Sequence, residues 1–323
     1  MSLSVGIVGL PNVGKSTLFN ALLKKQLAYV ANFPFATIEP NVGVVPVPDE
    51  RLTKLSKIYN SPIVPATVQF VDIAGLIAGA SKGEGLGNKF LSHIRDVSAI
   101  CHVIRVFTDP DIIKQGVVSP KDDFEIVKLE LDLADQQTLE NHEKKKNKDV
   151  ENLPLFSKKP ILVILNIDEK DLIKAEELEG EYATKLGVLK DQVVAVSAKV
   201  ESELSELSED DQKSYLSDLG VKNSGLERLI QKAFKTLGLI TFLTAGEKEV
   251  RAWTIKDGIT AQEASGVIHT DFMNKFIKAD IVNFNDFIEN NGWKNVRELG
   301  KVRSEGRDYI VKDGDVVEFK IGS

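Results

Sequence analysis

Apolar residues in the first two-thirds of the chain gather into short unbroken runs. Between those runs the spacing changes to one hydrophobic position every three or four residues. Val5–Val8, Val68–Asp72, Ala99–Phe107, Ile161–Asn166 and Val193–Ser197 each read as a buried strand, because a strand covered on both faces shows no polar alternation. Lys15–Leu27 and Leu86–Asp96 carry the helical period. Strands alternating with helices predict a mainly parallel sheet covered on both faces, an α/β fold over residues 1–239.

Two stretches interrupt the alternation. Lys121–Lys159 opens with Phe124, Val127, Leu131 and Ala134 on one helical face, then passes into a Lys/Asn-rich run at 141–149. It predicts a short helical insertion over 121–159 that ends in a solvated loop. Residues 201–211 are strongly acidic and predict the exposed start of a helix. From residue 240 the pattern changes again. Glu249–Ile255 reads as a strand, 260–268 as a helix, and Asp308–Lys320 as two strands about an Asp313-Gly314 turn. Residues 240–323 are therefore expected to form a separate α+β domain of β-grasp type.

Composition narrows the class. The longest apolar run, Ile161–Leu165, is far short of the ~18 residues that cross a bilayer. No basic leader precedes the first strand, so no signal peptide is expected. One cysteine among 323 residues excludes an internal disulfide and a thiolate metal cluster. A cytosolic protein with no membrane partner is the expectation. The net charge of −7 is concentrated in the middle of the chain, and no block is basic enough to imply nucleic-acid binding by charge.

The strongest chemical signal is Gly9-Leu-Pro-Asn-Val-Gly-Lys-Ser16, a GxxxxGK[ST] loop between a buried strand and a helix. The backbone of Pro11, Asn12, Val13 and Gly14, with Lys15, Ser16 and Thr17, would cradle the phosphates of a nucleotide at the helix N-terminus. Lys15 would bridge the β- and γ-phosphates and Ser16 would ligate Mg²⁺. Asp72 ends the next strand and would reach Mg²⁺ through water, while the Gly75 N–H would meet the γ-phosphate. Gly75, Gly79, Gly83, Gly85 and Gly87 then crowd one segment, which reads either as a switch or as a flexible connector. Thr37 offers a second hydroxyl for Mg²⁺. Asn12 either holds a K⁺ ion beside the phosphates or only shapes the loop.

The base end is read from Asn166-Ile-Asp-Glu169 and from Ser197-Ala198-Lys199, each ending a strand. Guanine-specific proteins carry NKxD followed by SAK. Here Ile167 replaces the lysine and Glu169 the aspartate, which weakens the charge-assisted pair that guanine needs. Backbone groups near Ile167, with Asn166 on N7 or N6, would then read adenine. The alternative is that Glu169 still reaches guanine. His93, His102, His142 and His269 have no metal spacing, and Cys101, Trp253 and Trp293 read as packing residues.

Gly9–Thr17, Asn32–Asn41, Asp72–Phe90, Asn166–Glu169 and Phe242–Trp253 together resemble the YchF, or Obg-like ATPase, family. The resemblance implies a Ras-like P-loop NTPase domain, an inserted coiled-coil arm and a C-terminal TGS domain with a ubiquitin-like β-grasp. It also implies ATP in preference to GTP, Mg²⁺ dependence, and association with the ribosome or a ribosomal subunit as a translation or stress switch. Lys15, Asp72 and Gly75 are the expected catalytic residues. Leu76 stands where Ras-type enzymes place a catalytic glutamine, so intrinsic turnover is expected to be low, and Lys114 aligns with a histidine of some relatives, so no catalytic histidine is assigned. The arm is reduced to Gln136–Lys159, which leaves arm-mediated nucleic-acid binding open. An Obg-type GTPase, or a nucleotide-binding adaptor with negligible turnover, are the alternatives.

Overall fold

The computed structural model describes residues 3–32, 41–73, 86–108, 119–144 and 153–322. The chain runs β1 (Ser4–Val8), α1 (Lys15–Asn32), β2 (Val42–Pro46), α2 (Glu50–Tyr59), β3 (Ile63–Val64), β4 (Thr67–Asp72), α3 (Leu86–Asp96) and β5 (Ala99–Arg105). There follow α4 (Pro120–Lys144), β6 (Ile161–Asn166), α5 (Ala175–Leu186), β7 (Val193–Val196), α6 (Ala198–Leu204), α7 (Glu209–Asp218) and α8 (Gly225–Thr236). The last part holds β8 (Leu239–Ala245), β9 (Val250–Lys256), α9 (Ala261–Ile268), α10 (Thr270–Asn274), β10 (Phe276–Asn283), α11 (Phe284–Glu289), α12 (Trp293–Glu298), β11 (Arg303–Glu305) and β12 (Asp315–Ile321). Two compact units emerge, one of residues 1–45 and 68–237, the other of residues 46–67 and 238–323.

The first unit is built on a six-stranded sheet in the order β2-β4-β1-β5-β6-β7, with β1 parallel to β4 and β5, β5 to β6, and β6 to β7. β1, β5 and β7 are buried at every position, which explains their unbroken apolar sequence. The register sets Ile7 beside Asp72, Val8 beside His102 and Arg105 beside Asn166. β5, β6 and β7 thus end level with one another, and β1 ends three residues earlier, opposite His102. Separate apolar clusters form around Ile73, Ile94 and Val127 and around Val163, Val193 and Leu204.

α4 buries Phe124, Val127, Leu131 and Ala134, the face that its sequence period marks. It runs to Lys144, further into the polar run than the reading of a loop from 141 allowed. The rest of that run lies outside the described residues. The acidic stretch at 201–211 spans the end of α6 and the start of α7, where the Ser208 hydroxyl accepts from the Asp211 N–H and caps the helix.

The second unit carries a sheet in the order β11-β10-β12-β8-β9-β3. β12 runs antiparallel to β10 and parallel to β8, and β8 is antiparallel to β9. One apolar cluster joins Phe242, Ile255, Ala264, Phe276, Ile281 and Val317. Residues 46–67, read from sequence as part of the first domain, pack in this unit instead. Asp49 caps α2, and Leu52 and Leu55 are fully buried. β3 adds an edge strand parallel to β9, and the Val250 N–H donates to the Pro62 carbonyl at 2.9 Å. Arg51 closes the arrangement. It donates to both Asp49 oxygens, to Asp313 Oδ2 at 2.9 Å and to Thr241 Oγ1 at 2.8 Å.

The turn read at Asp313-Gly314 forms, but the strand expected before it does not, so there is no hairpin. Residues 308–312 make one bridge, between Thr260 and Ile310, and are not a strand. The Asp313 carboxylate accepts from the Thr241 N–H at 2.9 Å, and Gly314 takes a φ of 83°. The turn therefore delivers β12 between β10 and β8 rather than folding it back on its own predecessor.

Candidate functional site

A cavity of about 810 Å³ lies along the carboxyl ends of β1, β5, β6 and β7 in the first unit. Ligands of parallel α/β sheets bind at this edge. The loop after β1 and the segment after β7 approach each other closely, since a Cβ on Gly14 would stand 3.7 Å from the Ala198 Cβ. Residues of the loop after β1 line one end, and residues after β6 and β7 line the other.

The loop after β1 takes its shape from its glycines. Gly9 has φ +153° and a Cβ there would run into the Val103 carbonyl. Gly14 has φ +98° and a Cβ there would overlap the Asn166 side-chain amide. Val13 between them is buried, while Pro11 and Asn12 are exposed, Asn12 in the left-handed region at φ 62°. α1 starts at once, with the Leu18 N–H donating to the Gly14 carbonyl at 3.0 Å. The sequence from 9 to 16 thus yields a tight loop that opens directly into the N-terminus of a helix, which suits an anion.

Lys15 is nearly buried, and its Nζ donates to the Leu10 carbonyl at 2.7 Å. Burial pushes its pKa below the ordinary lysine range, and the Asp72 carboxylate acts in the opposite direction. Asp72 mirrors it: burial raises its carboxyl and the Lys15 ammonium opposes the rise. Each charge therefore supports the ionised form of the other, Lys15 at the start of α1 and Asp72 at the end of β4. Ser16 and Thr17 are exposed and line the cavity. Thr37, Gly75, Leu76 and Lys114 lie outside the described residues.

At the other end Asn166 is a brace. Its Nδ2 donates to the Val13 carbonyl at 2.9 Å and its Oδ1 accepts from the Ala198 N–H at 3.0 Å. One buried side chain thus ties the phosphate loop to the segment of Ser197 and Ala198. Ile167 lines the cavity, yet its side chain belongs to the apolar cluster with Ile104 and Leu172. Glu169 is half-exposed at the start of a short 3₁₀ helix, Glu169–Lys174, on the cavity rim. Ser197 and Ala198 are buried beside it.

Four further lining residues carry no motif, Phe107, Thr108, Ser202 and Glu203, and Asp168 lines the cavity from the variable position of Asn166–Glu169. Phe107 and Thr108 follow β5, which runs between the strands bearing the two recognised motifs. Strand order, not spacing, is the signal that finds them. Among the histidines, His102 is buried on β5 and stacks on Phe124 at 5.4 Å, away from the cavity lining. Cys101 is buried, Trp253 stacks on Phe242, and Trp293 meets Phe287 edge-on. All three are packing residues. No cluster of three or more metal-ligating side chains occurs among the described residues, and no helix there is long and apolar enough to cross a membrane.

Residues 4–167 match the family described as 50S ribosome-binding GTPase, and residues 239–322 match the YchF GTPase C-terminal family, described as a protein of unknown function. The Ribosome-binding ATPase YchF of Bacillus subtilis (strain 168) is 44% identical over 367 residues, covering 99% of both chains. That of Escherichia coli O157:H7 is 45% identical over 363 residues, again covering 99% of both. The chain belongs to the YchF family. The solved structure of the Schizosaccharomyces pombe YchF GTPase matches it with a TM-score of 0.84 at 33% identity, over 99% of this chain and 98% of that one. YchF membership accounts for the phosphate loop, the parallel sheet and the added second unit together.

Proposed function

We propose that the chain is a Mg²⁺-dependent NTPase that hydrolyses ATP in preference to GTP and works as a slow, ribosome-associated switch. The observation that carries the reading is the buried Lys15 on its glycine loop, within the field of Asp72, at one end of a nucleotide-sized cavity. The relatives are named Ribosome-binding ATPase, which supports both the reaction and the partner. TGS-type β-grasp identity for the second unit is part of the same reading.

The donors suit Mg²⁺. The ion keeps several waters and takes few protein ligands, chiefly alongside substrate phosphates, so a cluster of side chains is not required. Ser16 would hold it directly and Asp72 through water, and it would neutralise charge on the β- and γ-phosphates. Lys15 would bind the same phosphates, and the loop N–H groups would orient them. K⁺ beside Asn12 is the candidate for a second cation.

Adenine preference rests on Glu169 and Ile167. The glutamate places its carboxylate one methylene further out than the aspartate that reads guanine, and Ile167 packs into the core where a lysine would brace the base. A preference of roughly tenfold corresponds to about 1.4 kcal/mol. Titration with ATP and GTP side by side tests it: tenfold tighter GTP would establish an Obg-type GTPase instead. Phosphate release no faster than in Lys15→Ala would leave a binding adaptor. Nucleotide-independent absence from sedimented ribosomes would remove the ribosomal partner.

A further inference from the structure

Asp168 stands between the two residues that sequence patterns attach to the base, and its carboxylate is tied down at the cavity rim. Its Oδ2 accepts from the Thr108 N–H at 3.1 Å and from the Thr108 hydroxyl at 3.0 Å. Two backbone bonds reinforce the tie. The N–H groups of Val106 and Phe107 both donate to the Asn166 carbonyl, each at 2.9 Å. The segment after β5 is thereby laced to the segment after β6.

Phe107 lies between these ties and lines the cavity. The Arg105 guanidinium carbon sits 4.4 Å from the centre of its ring, and Arg105 Nε donates to the Phe107 carbonyl at 3.3 Å. Arg105 and Asn166 are neighbours in the β5–β6 register, so both fastenings of Phe107 spring from one level of the sheet. Thr108 is exposed, and among the described residues the two bonds to Asp168 fix its direction. Without Asp168 the Thr108 donors turn to water and the Phe107 wall loses its outer support.

We propose that Asp168 is a positioning residue for the base end of the nucleotide site, acting through Thr108 on the Phe107 wall. The inference rests on the nucleotide reading given above. Phosphate contacts lie at the other end of the cavity, on the loop after β1, and are made by groups that Asp168 does not touch. Asp168 therefore governs affinity for the base-bearing part of the ligand and leaves the phosphate cradle unaltered.

The test compares unsubstituted chain, Asp168→Ala, Asp168→Asn and Thr108→Val in ATP hydrolysis, with inorganic tripolyphosphate as a competitor that has phosphates and no base. Asp168→Ala should raise KM for ATP about three- to tenfold, the loss expected from two exposed hydrogen bonds to a charged acceptor, with kcat changed less than twofold. Its inhibition constant for tripolyphosphate should stay at the unsubstituted value. Asp168→Asn keeps an oxygen acceptor and should restore KM to within about twofold of the unsubstituted chain. Thr108→Val, the second variant should Asp168→Ala fold poorly, keeps the N–H and should shift KM in the same direction by less. An unchanged KM in Asp168→Ala, equal weakening of ATP and tripolyphosphate, or no recovery in Asp168→Asn would overturn the inference while leaving the nucleotide site standing. Failure of the unsubstituted chain to bind ATP more tightly than Lys15→Ala would overturn the nucleotide reading and the inference together.

Discussion

The side-chain amide of Asn166 occupies the space that a Cβ on Gly14 would need, and the same amide donates to the Val13 carbonyl at 2.9 Å. The phosphate loop is therefore shaped from outside, by a residue more than a hundred positions away, as well as by its own glycines. Gly14→Ala should weaken ATP binding tenfold or more, because the alanine meets both the amide and a φ of +98°. Asn166→Ala should act in the same direction by unpairing a buried carbonyl and a buried N–H, at about 1–3 kcal/mol for each. Fluorescent ATP titration checks both. A Gly14→Ala chain that binds ATP normally would show that the loop reshapes at no cost.

His102 gives the protein a predictable acid weakness. Burial, with the Lys15 charge adding to it, pushes its pKa down from 6.5 to about 3. Between those values the unfolded chain holds a proton that the folded chain does not. Stability should fall as pH drops through 6.5 and continue to fall toward 3, with a slope from this group approaching ~1.4 kcal/mol per pH unit. Urea midpoints measured at about pH 7.5 and about pH 5 should diverge in the unsubstituted chain and converge in His102→Phe, which keeps an aromatic ring against Phe124.

Arg51 should be the most sensitive surface position of the second unit. Arg51→Ala removes the fork on Asp49 and the bonds to Asp313 and Thr241, a loss of about 1–3 kcal/mol. Faster amide exchange at Thr241, whose N–H donates to Asp313, would report it. Arg51→Lys should recover less than half of the loss, since an ammonium cannot fork.

Metal removal should silence turnover without unfolding the chain. Chelation by EDTA is expected to stop phosphate release and added Mg²⁺ to restore it, while circular dichroism stays constant. Ser16→Ala should raise the Mg²⁺ concentration needed for half-maximal rate. Replacing K⁺ with Na⁺ tests Asn12: equal rates would leave Asn12 as a shaping residue alone.

Much of the first unit was legible because β1, β5, β6 and β7 are buried on both faces and so carry runs that need no context, whereas β4, read the same way, alternates buried and half-buried positions. Ile161–Asn166 appears as read, and the other four strands differ from the reading by a residue or two at their ends. The phosphate loop was legible for a similar reason, since its chemistry is local. Phe107 and Thr108 were not, and Asp168 showed only as the variable position of its motif, because their roles come from which strands lie side by side. Ile167 was legible as a substitution, while its burial with Ile104 and Leu172 needed the fold. The hairpin at Asp313-Gly314 misled because Asp-Gly signals a turn and says nothing of which strand will pair afterwards. Residues 46–67 gave no composition shift to mark them, and adjacency in sequence placed them in the wrong unit.

Placement of α2 and β3 in the second unit makes that unit discontinuous, and this has a consequence in time. A chain emerges from its N-terminus, so Leu52, Leu55 and the β3 edge are made long before β8 and β9, against which they pack. Contacts so distant in sequence form late and leave apolar surface uncovered meanwhile. Nor can the unit be removed as a tail: cutting after Leu237 would strand α2 without the sheet that buries it. A fragment meant to fold alone would have to join 46–67 to 238–323, reuniting one of the earliest helices made with the last strand.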